Sequence, residues 1–404
     1  MKKIARFIVL TFLFPLSSGA YALDLNNPLP NWVDPSREKI VDVPGESRAR
    51  AVPPSGFRMP AEYEPVAGVV IGWAGYTSML SRIAQAAAGP GNAKVLGVAA
   101  PAALSGVPAD KYRKLDLPID TVWMRDYGPF GITGSGQLGI VDTGYRHYQY
   151  RREDDALPSS LGKALGAVVF GTSLILDGGN LMVDTKGNLF MTRRTYMWNS
   201  SIPQEQVDAA LKAQFKVKNI YAFDYAGYPG EPKDGTGHID MFMKLLNDHT
   251  VLITVADVEP FRTNAEKAQA FFRGRTAPDG KPYKVVTAKG WQTYGAWYTY
   301  TNSLIVNNTV IMPSYTGHDK DEAEAKAAYQ AGMPGVTVAP VNSDSSITAG
   351  GSIHCVTQTL PVLPGKEILP GPYFDVVPVF AEYSLTSGLA DLPALGQLAG
   401  AVGR

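Results

Sequence analysis

Val66-Ala67-Gly68-Val69-Val70-Ile71-Gly72-Trp73 is followed by Ser78-Met79-Leu80-Ser81-Arg82-Ile83-Ala84-Gln85-Ala86-Ala87-Ala88, and then by Lys94-Val95-Leu96-Gly97-Val98-Ala99-Ala100. The first run carries no charge and no polar alternation, which suits a strand covered on both faces. The second is rich in alanine and reads as a helix. The third is a strand again. A strand, a helix and a strand in succession define an α/β fold. The same alternation continues outward. Ser173–Leu176, Leu181–Val183 and Leu189–Thr192 read as short strands, Pro203–Phe215 as a helix opened by proline, and His249–Ala256 as a β-branched strand. Thr263 and Glu266 have capping-box spacing for a helix reaching Phe272. Tyr300–Pro313 reads as two strands around Asn307-Asn308, Asp321–Gln330 as a helix and Val336–Ala339 as a strand. No sequence repeat or low-complexity segment stands out, and one catalytic domain over 59–378 is the simplest division.

The flanks read differently. Lys2, Lys3 and Arg6 precede an apolar run from Phe7 to Leu16, and a small-residue stretch ends in Ala20-Tyr21-Ala22. That is a secretory signal peptide over 1–22, cut after Ala22, so a secreted or periplasmic protein is expected. No later run is long and apolar enough for a stable membrane span. Residues 23–58 are rich in proline and polar groups and read as an extended lead-in. Residues 379–404 form a C-terminal tail. The chain has 37 basic and 37 acidic side chains. This balance gives no basic surface for nucleic acid, so a charged substrate has to be recognised locally.

There is a single cysteine. An exported chain with one thiol has no internal disulfide, and the thiol is either buried and inert or put to use. Cys355 ends Gly350-Gly351-Ser352-Ile353-His354-Cys355, a glycine loop of the kind that presents a nucleophile. Gly237-His238-Ile239-Asp240 puts an imidazole and a carboxylate two apart, on one side of a strand. Trp123-Met124-Arg125-Asp126-Tyr127-Gly128-Pro129 places Asp126 at a strand mouth. Leu176-Asp177-Gly178-Gly179-Asn180 places Asp177 at another. Each motif also has a plainer reading: a turn, a strand edge or a bracing ion pair. Together they put several acids, one histidine and one cysteine at strand ends beside glycine. Carboxylate pairs are the natural acceptors of a planar guanidinium, and a thiolate beside that cation is stabilised. The other histidines (His147, His249, His318 and His354) fall at no ligand spacing, so neither metal nor cofactor is expected.

At these residues the chain resembles the agmatine deiminase and bacterial-type peptidylarginine deiminase family of the guanidino-modifying superfamily. The resemblance spans about Met59 to Gln358 and includes the opening Met59-Pro60-Ala61-Glu62-Tyr63-Glu64-Pro65. It implies a five-bladed α/β propeller (the pentein fold) with pseudo-fivefold symmetry. It also implies a small-molecule guanidino or peptidyl-arginine substrate, no cofactor, and a thiouronium intermediate on Cys355. His238 would be the acid and base, and Asp126 and Asp240 would hold the guanidinium. Asn302 resembles a polar residue near the nucleophile. Asp177 and Asn180 look closer to the peptidylarginine branch, where arginines after the first acidic motif hold a carboxylate; Arg151 or Arg152 would take that part. Trp73, with Trp291 and Trp297, is a candidate pocket wall. Agmatine deimination leading to N-carbamoylputrescine is the alternative within the family. A cysteine peptidase using Cys355, His238 and Asn302, and a non-enzymatic binding protein, are the alternatives outside it.

Overall fold

The computed structural model describes residues 23–41 and 51–363. The expected signal peptide and C-terminal tail lie outside the described residues. Val66–Gly72 is buried at every position, as its unbroken apolar run requires, and sits between a parallel and an antiparallel neighbour. It belongs to a unit that the chain repeats five times without an evident sequence repeat. In each unit two antiparallel strands are followed by a helix and a third strand, parallel to the second.

Gln137–Tyr145 pairs antiparallel with Phe130–Gly134, and helix Arg152–Leu165 leads to parallel Val168–Leu176. Met182–Val183 and Asn188–Thr192 are followed by helix Gln204–Phe215 and Asn219–Phe223. Met243–Asn247 and Thr250–Val255 are followed by helix Phe261–Phe272 and Lys284–Lys289. Leu304–Val306 and Thr309–Ser314 turn at Asn307, whose φ of 53° suits asparagine. Helix Asp319–Gly332 then leads to Thr337–Asn342. The remaining unit is split across the chain. Its first strand is Thr357–Pro361, which pairs with Val66–Gly72 before helix Thr77–Ala88 and strand Lys94–Val98. The last strand thereby closes the first sheet. A parallel neighbour needs a crossover, and a helix is the compact way to make one while covering the sheet. The chain is therefore α/β, in separate sheets none of which closes on itself among the described residues.

Two local expectations are corrected. Thr263 and Glu266 are not a capping box, because the helix already begins at Phe261; Glu259 Oε2 instead accepts the Thr263 N–H at 3.3 Å. The charge run at Arg152–Asp155 opens a 14-residue helix, Arg152–Leu165. Its early acids suit the positive helix end. The lead-in is not loosely extended over 23–41. Arg151, with no exposed surface, donates to both carboxylate oxygens of Glu38 at 2.7 and 3.1 Å and to the carbonyls of Pro30 and Trp32. Residues 42–50 of the lead-in lie outside the described residues.

Candidate active site

Five connectors, each leading into the first strand of a unit, supply the chemically competent side chains. Asp126 lies on a single helical turn, Met124–Tyr127, before Phe130. Asp177 ends the strand Val168–Leu176 and opens a tight turn, Gly178–Asn180. His238 and Asp240 flank the start of another, Ile239–Met241. Asn302 precedes Leu304, and Cys355 precedes Thr357. The strand alternation expected for His238 and Asp240, and the strand mouth expected for Asp126, are corrected: helical and 3₁₀ turns do the aiming. The outcome is nonetheless a single cluster. Asp126, Asp177, His238, Asp240, Asn302 and Cys355 all have no exposed surface.

Asn302 organises the nucleophile. Its Nδ2 donates to Asp240 Oδ2 at 3.0 Å and faces Cys355 Sγ at 3.1 Å. Its Oδ1 accepts the Ser352 N–H at 2.9 Å. Asp240 Oδ2 is 3.9 Å from Cys355 Sγ, while Asp240 Oδ1 is buried without a hydrogen-bond partner. His238 lies between two carboxylates, with Nε2 3.1 Å from Asp177 Oδ2 and Nδ1 3.5 Å from Asp126 Oδ1. Two glycines make this closeness feasible. A Cβ on Gly179 would stand 2.7 Å from His238 Nδ1, 2.9 Å from Asp126 Oδ1 and 3.1 Å from Asp240 Oδ2. One on Gly351 would stand 2.7 Å from Cys355 Sγ.

The electrostatics follow from burial among acids. Burial pushes the Cys355 thiol well above its ordinary range, and Asp240 and Asp126 add to this. Burial likewise raises the Asp126 carboxyl to about 6, with Asp177 adding and His238 opposing. Burial opposes charge on Asp177 too, but Arg146 and His238 outweigh it and hold that carboxyl at about 2. His238 resists charging because it is buried, yet Asp126 and Asp177 outweigh this and raise it. Burial among acids thus favours the neutral thiol at Cys355 and raises the proton affinity of both His238 and Asp126. Donor atoms of Asp126, Asp177 and His238 lie within 4.8 Å of one another, close enough to grip a metal. Both carboxylates also face other groups: the Arg146 guanidinium is 2.9 Å from Asp177 Oδ2, and N–H donors from Gly179 and Asn31 reach Asp126, while His238 Nδ1 and Asp177 Oδ1 have no hydrogen-bond partner.

Sequence reasoning missed several neighbours. His354 bridges Asp240 and Glu62, at 2.6 Å to each. Glu62 is also 2.6 Å from Lys244. Burial opposes charge on Glu62, but Lys244, His354 and Arg125 hold its carboxyl well below the usual range. Arg146 reaches Asp177, and Trp198 lies edge-on to His238 at 5.8 Å. Glu62 stood in a quoted motif with no sign of its partners, and Arg146 in a stretch with no motif. Three candidates do not join the site. Arg151 is spent on Glu38. Arg152 is exposed at the helix start. Trp73 is buried in the hydrophobic core at the end of its strand, as its apolar neighbours dictate. Trp297 stacks on Phe261, and Trp291 on Tyr298 and His318.

Residues 58–361 match the Porphyromonas-type peptidyl-arginine deiminase family. The chain belongs to that family. Its members, with the related agmatine deiminases, are hydrolases of guanidino C–N bonds. An agmatine deiminase of Pseudomonas aeruginosa is 26% identical over 359 residues, covering 76% of this chain and 96% of the relative. One from Ectopseudomonas mendocina is 25% identical over 365 residues, covering 77% and 97%. Among solved structures, the agmatine deiminase of Enterococcus faecalis superposes with a TM-score of 0.66 at 21% identity, covering 78% of this chain and 99% of that one. A substrate-bound agmatine deiminase from C. jejuni gives 0.61 at 19% identity, covering 75% and 96%. These likenesses establish a deiminase-type α/β fold.

Proposed function

We propose that this deiminase removes ammonia from the guanidino group of an arginine derivative, free or peptidyl, by covalent catalysis at Cys355. The observation that carries the reading is the Asp240 carboxylate, whose Oδ2 lies 3.9 Å from Cys355 Sγ and whose Oδ1 is buried without a hydrogen-bond partner, with Asp126 close by. A buried acceptor without a partner is costly unless a ligand fills it. A guanidinium is planar, permanently charged and rich in donors. Set between Asp126 and Asp240, it neutralises the charges that hold the thiol up, so substrate binding itself favours release of the thiol proton to solvent, leaving the thiolate beside a protonated His238. The thiolate then attacks the central carbon. The C–N bond breaks, and ammonia departs with a proton from His238. The S-alkylthiouronium that remains is attacked by water, deprotonated by His238, and thiolate is expelled to leave the ureido product.

Agmatine is the second reading, favoured by the activity named for the relatives at 25–26% identity. The side chains near His238 point elsewhere. Arg146 and Arg194 each lie over the Trp198 ring at 5.5 Å, and Arg194 Nε is buried without a hydrogen-bond partner. The Arg194 guanidinium repels the ammonium tail of agmatine and attracts a carboxylate, Arg146 being paired with Asp177. A peptidase would have no use for the extra acids. The five repeated units, each contributing its connector to one centre, support a reading as blades about a pseudo-fivefold axis. The basic, apolar and small-residue pattern of residues 1–22 supports export, with the mature chain starting at Leu23. The test is a panel of arginine, arginyl peptides and agmatine, assayed for ammonia and ureido product. Arginyl substrates should lead in kcat/KM; ammonia from none of them overturns the reading.

A further inference from the structure

We propose that Asn31 is a positioning residue for the groups that hold the guanidinium, and that residues 23–41 form a wall of the active site. This rests on the deiminase reading of that site. The segment lies outside residues 58–361, so the family match does not supply it. Asn31 has no exposed surface, and its Nδ2 donates to Asp126 Oδ2 at 3.0 Å. The other Asp126 oxygen accepts the Gly179 N–H at 3.1 Å. The carboxylate is thereby fixed from two sides. The backbone carbonyl and Oδ1 of Asn31 accept from Arg146 Nη2 at 2.8 and 3.3 Å, and Arg146 in turn meets Asp177. The Asn31 N–H donates to the Ala349 carbonyl at 2.8 Å, just before the nucleophile loop. One residue therefore touches the cation-holding acid, the arginine beside His238 and the approach to Cys355.

The side-chain type fits. A carboxamide offers N–H groups to a carboxylate and an oxygen to a guanidinium, which neither Asp nor Leu can do at once. The anchoring also suits a permanent wall. Besides the Arg151–Glu38 pair, Trp123 Nε1 donates to the Leu29 carbonyl at 3.0 Å. A Cβ on Gly350 would stand 3.1 Å from Asn31 Cβ, so the segment and the loop are in close register.

The experiment uses the full chain with Asn31→Ala and Asn31→Asp, each checked for wild-type thermal unfolding. Three quantities are read: kcat and KM for the best guanidino substrate, the pH profile of kcat/KM, and protection of Cys355 from iodoacetamide by guanidinium ion. The last needs no turnover. A lost hydrogen bond to a charged group weakens binding about 10- to 100-fold. Asn31→Ala should therefore lower kcat/KM by that factor, mostly through KM. Asn31→Asp faces Asp126 with a second carboxylate and should move the acid limb of the profile upward in pH. Guanidinium should protect Cys355 less in both. Unchanged KM, pH limb and protection overturn the proposal. So does a rise in kcat/KM, which would make the segment an obstruction. Wild type that neither releases ammonia nor shows protection fails the deiminase reading and this one with it; an active wild type with indifferent variants fails this one alone.

Discussion

Gly179→Ala adds one methyl group at the centre of the cluster. Gly179 does not occupy the left-handed region, so the backbone itself accepts alanine. The obstacle is the neighbours. The new Cβ would stand 2.7 Å from His238 Nδ1 and 2.9 Å from Asp126 Oδ1, against ordinary contact beginning at 3.4 Å. The imidazole has to retreat by about 0.7 Å and the carboxylate by about 0.5 Å, in an interior packed too densely to absorb it. The retreat of His238 is resisted by Asp177 at 3.1 Å and by the Trp198 ring. Overpacking of this size costs about 1–3 kcal/mol of stability. Misplacing an acid–base group by most of an ångström costs about 10²-fold in rate. The assay is kcat/KM on the best guanidino compound, with urea unfolding of the same preparation. A folded variant within about threefold of wild-type kcat/KM would refute the claim that these groups surround the reacting carbon.

The Asp126 carboxyl, raised to about 6 mainly by burial, holds a cation only when ionised, so kcat/KM should rise with pH through about 6 and then level. Its effect on stability has the opposite sign, because the folded state holds this proton more tightly: between 3.8 and about 6, rising pH removes stability. A profile flat from pH 5 to 7 contradicts the assignment. Asp177, held at about 2, adds stability above 3.8 that is lost as pH falls through about 2; acid titration of Asp177→Asn, lacking that component, checks it. Glu38→Gln leaves the buried Arg151 charge without its partner and should cost about 3–5 kcal/mol in urea unfolding. A loss below about 1 kcal/mol would mean the pair is solvated.

What the sequence made legible was local. The glycine-bounded motifs at Asp126, Asp177, His238 and Cys355 are contiguous, and their residue types already carry the chemistry. Elements such as Val66–Gly72, Thr77–Ala88 and Gln204–Phe215 were readable because burial imposes apolar runs and helical spacing, whereas Gln137–Tyr145, Arg152–Leu165 and Asn219–Phe223 went unread. The fivefold repetition was not readable. It lives in strand pairing and crossovers, which different apolar residues satisfy equally well. Nor were Asn31, Arg146, Glu62 or Trp198, whose roles arise from contacts across the fold: Asn31 and Asp126 are 95 positions apart. Arg151 shows the converse error. An arginine near a motif looks like a ligand-holder, yet its guanidinium is used by Glu38, the Tyr145 hydroxyl and backbone carbonyls.

The covalent step can be observed directly. A rapid acid quench during turnover, followed by peptide mass spectrometry, should find Cys355 carrying the substrate less one ammonia, and Cys355→Ser should carry none and release no ammonia. Ammonia release at the wild-type rate from Cys355→Ser, or steady turnover with Cys355 always unmodified while the adduct sits elsewhere, would contradict the account.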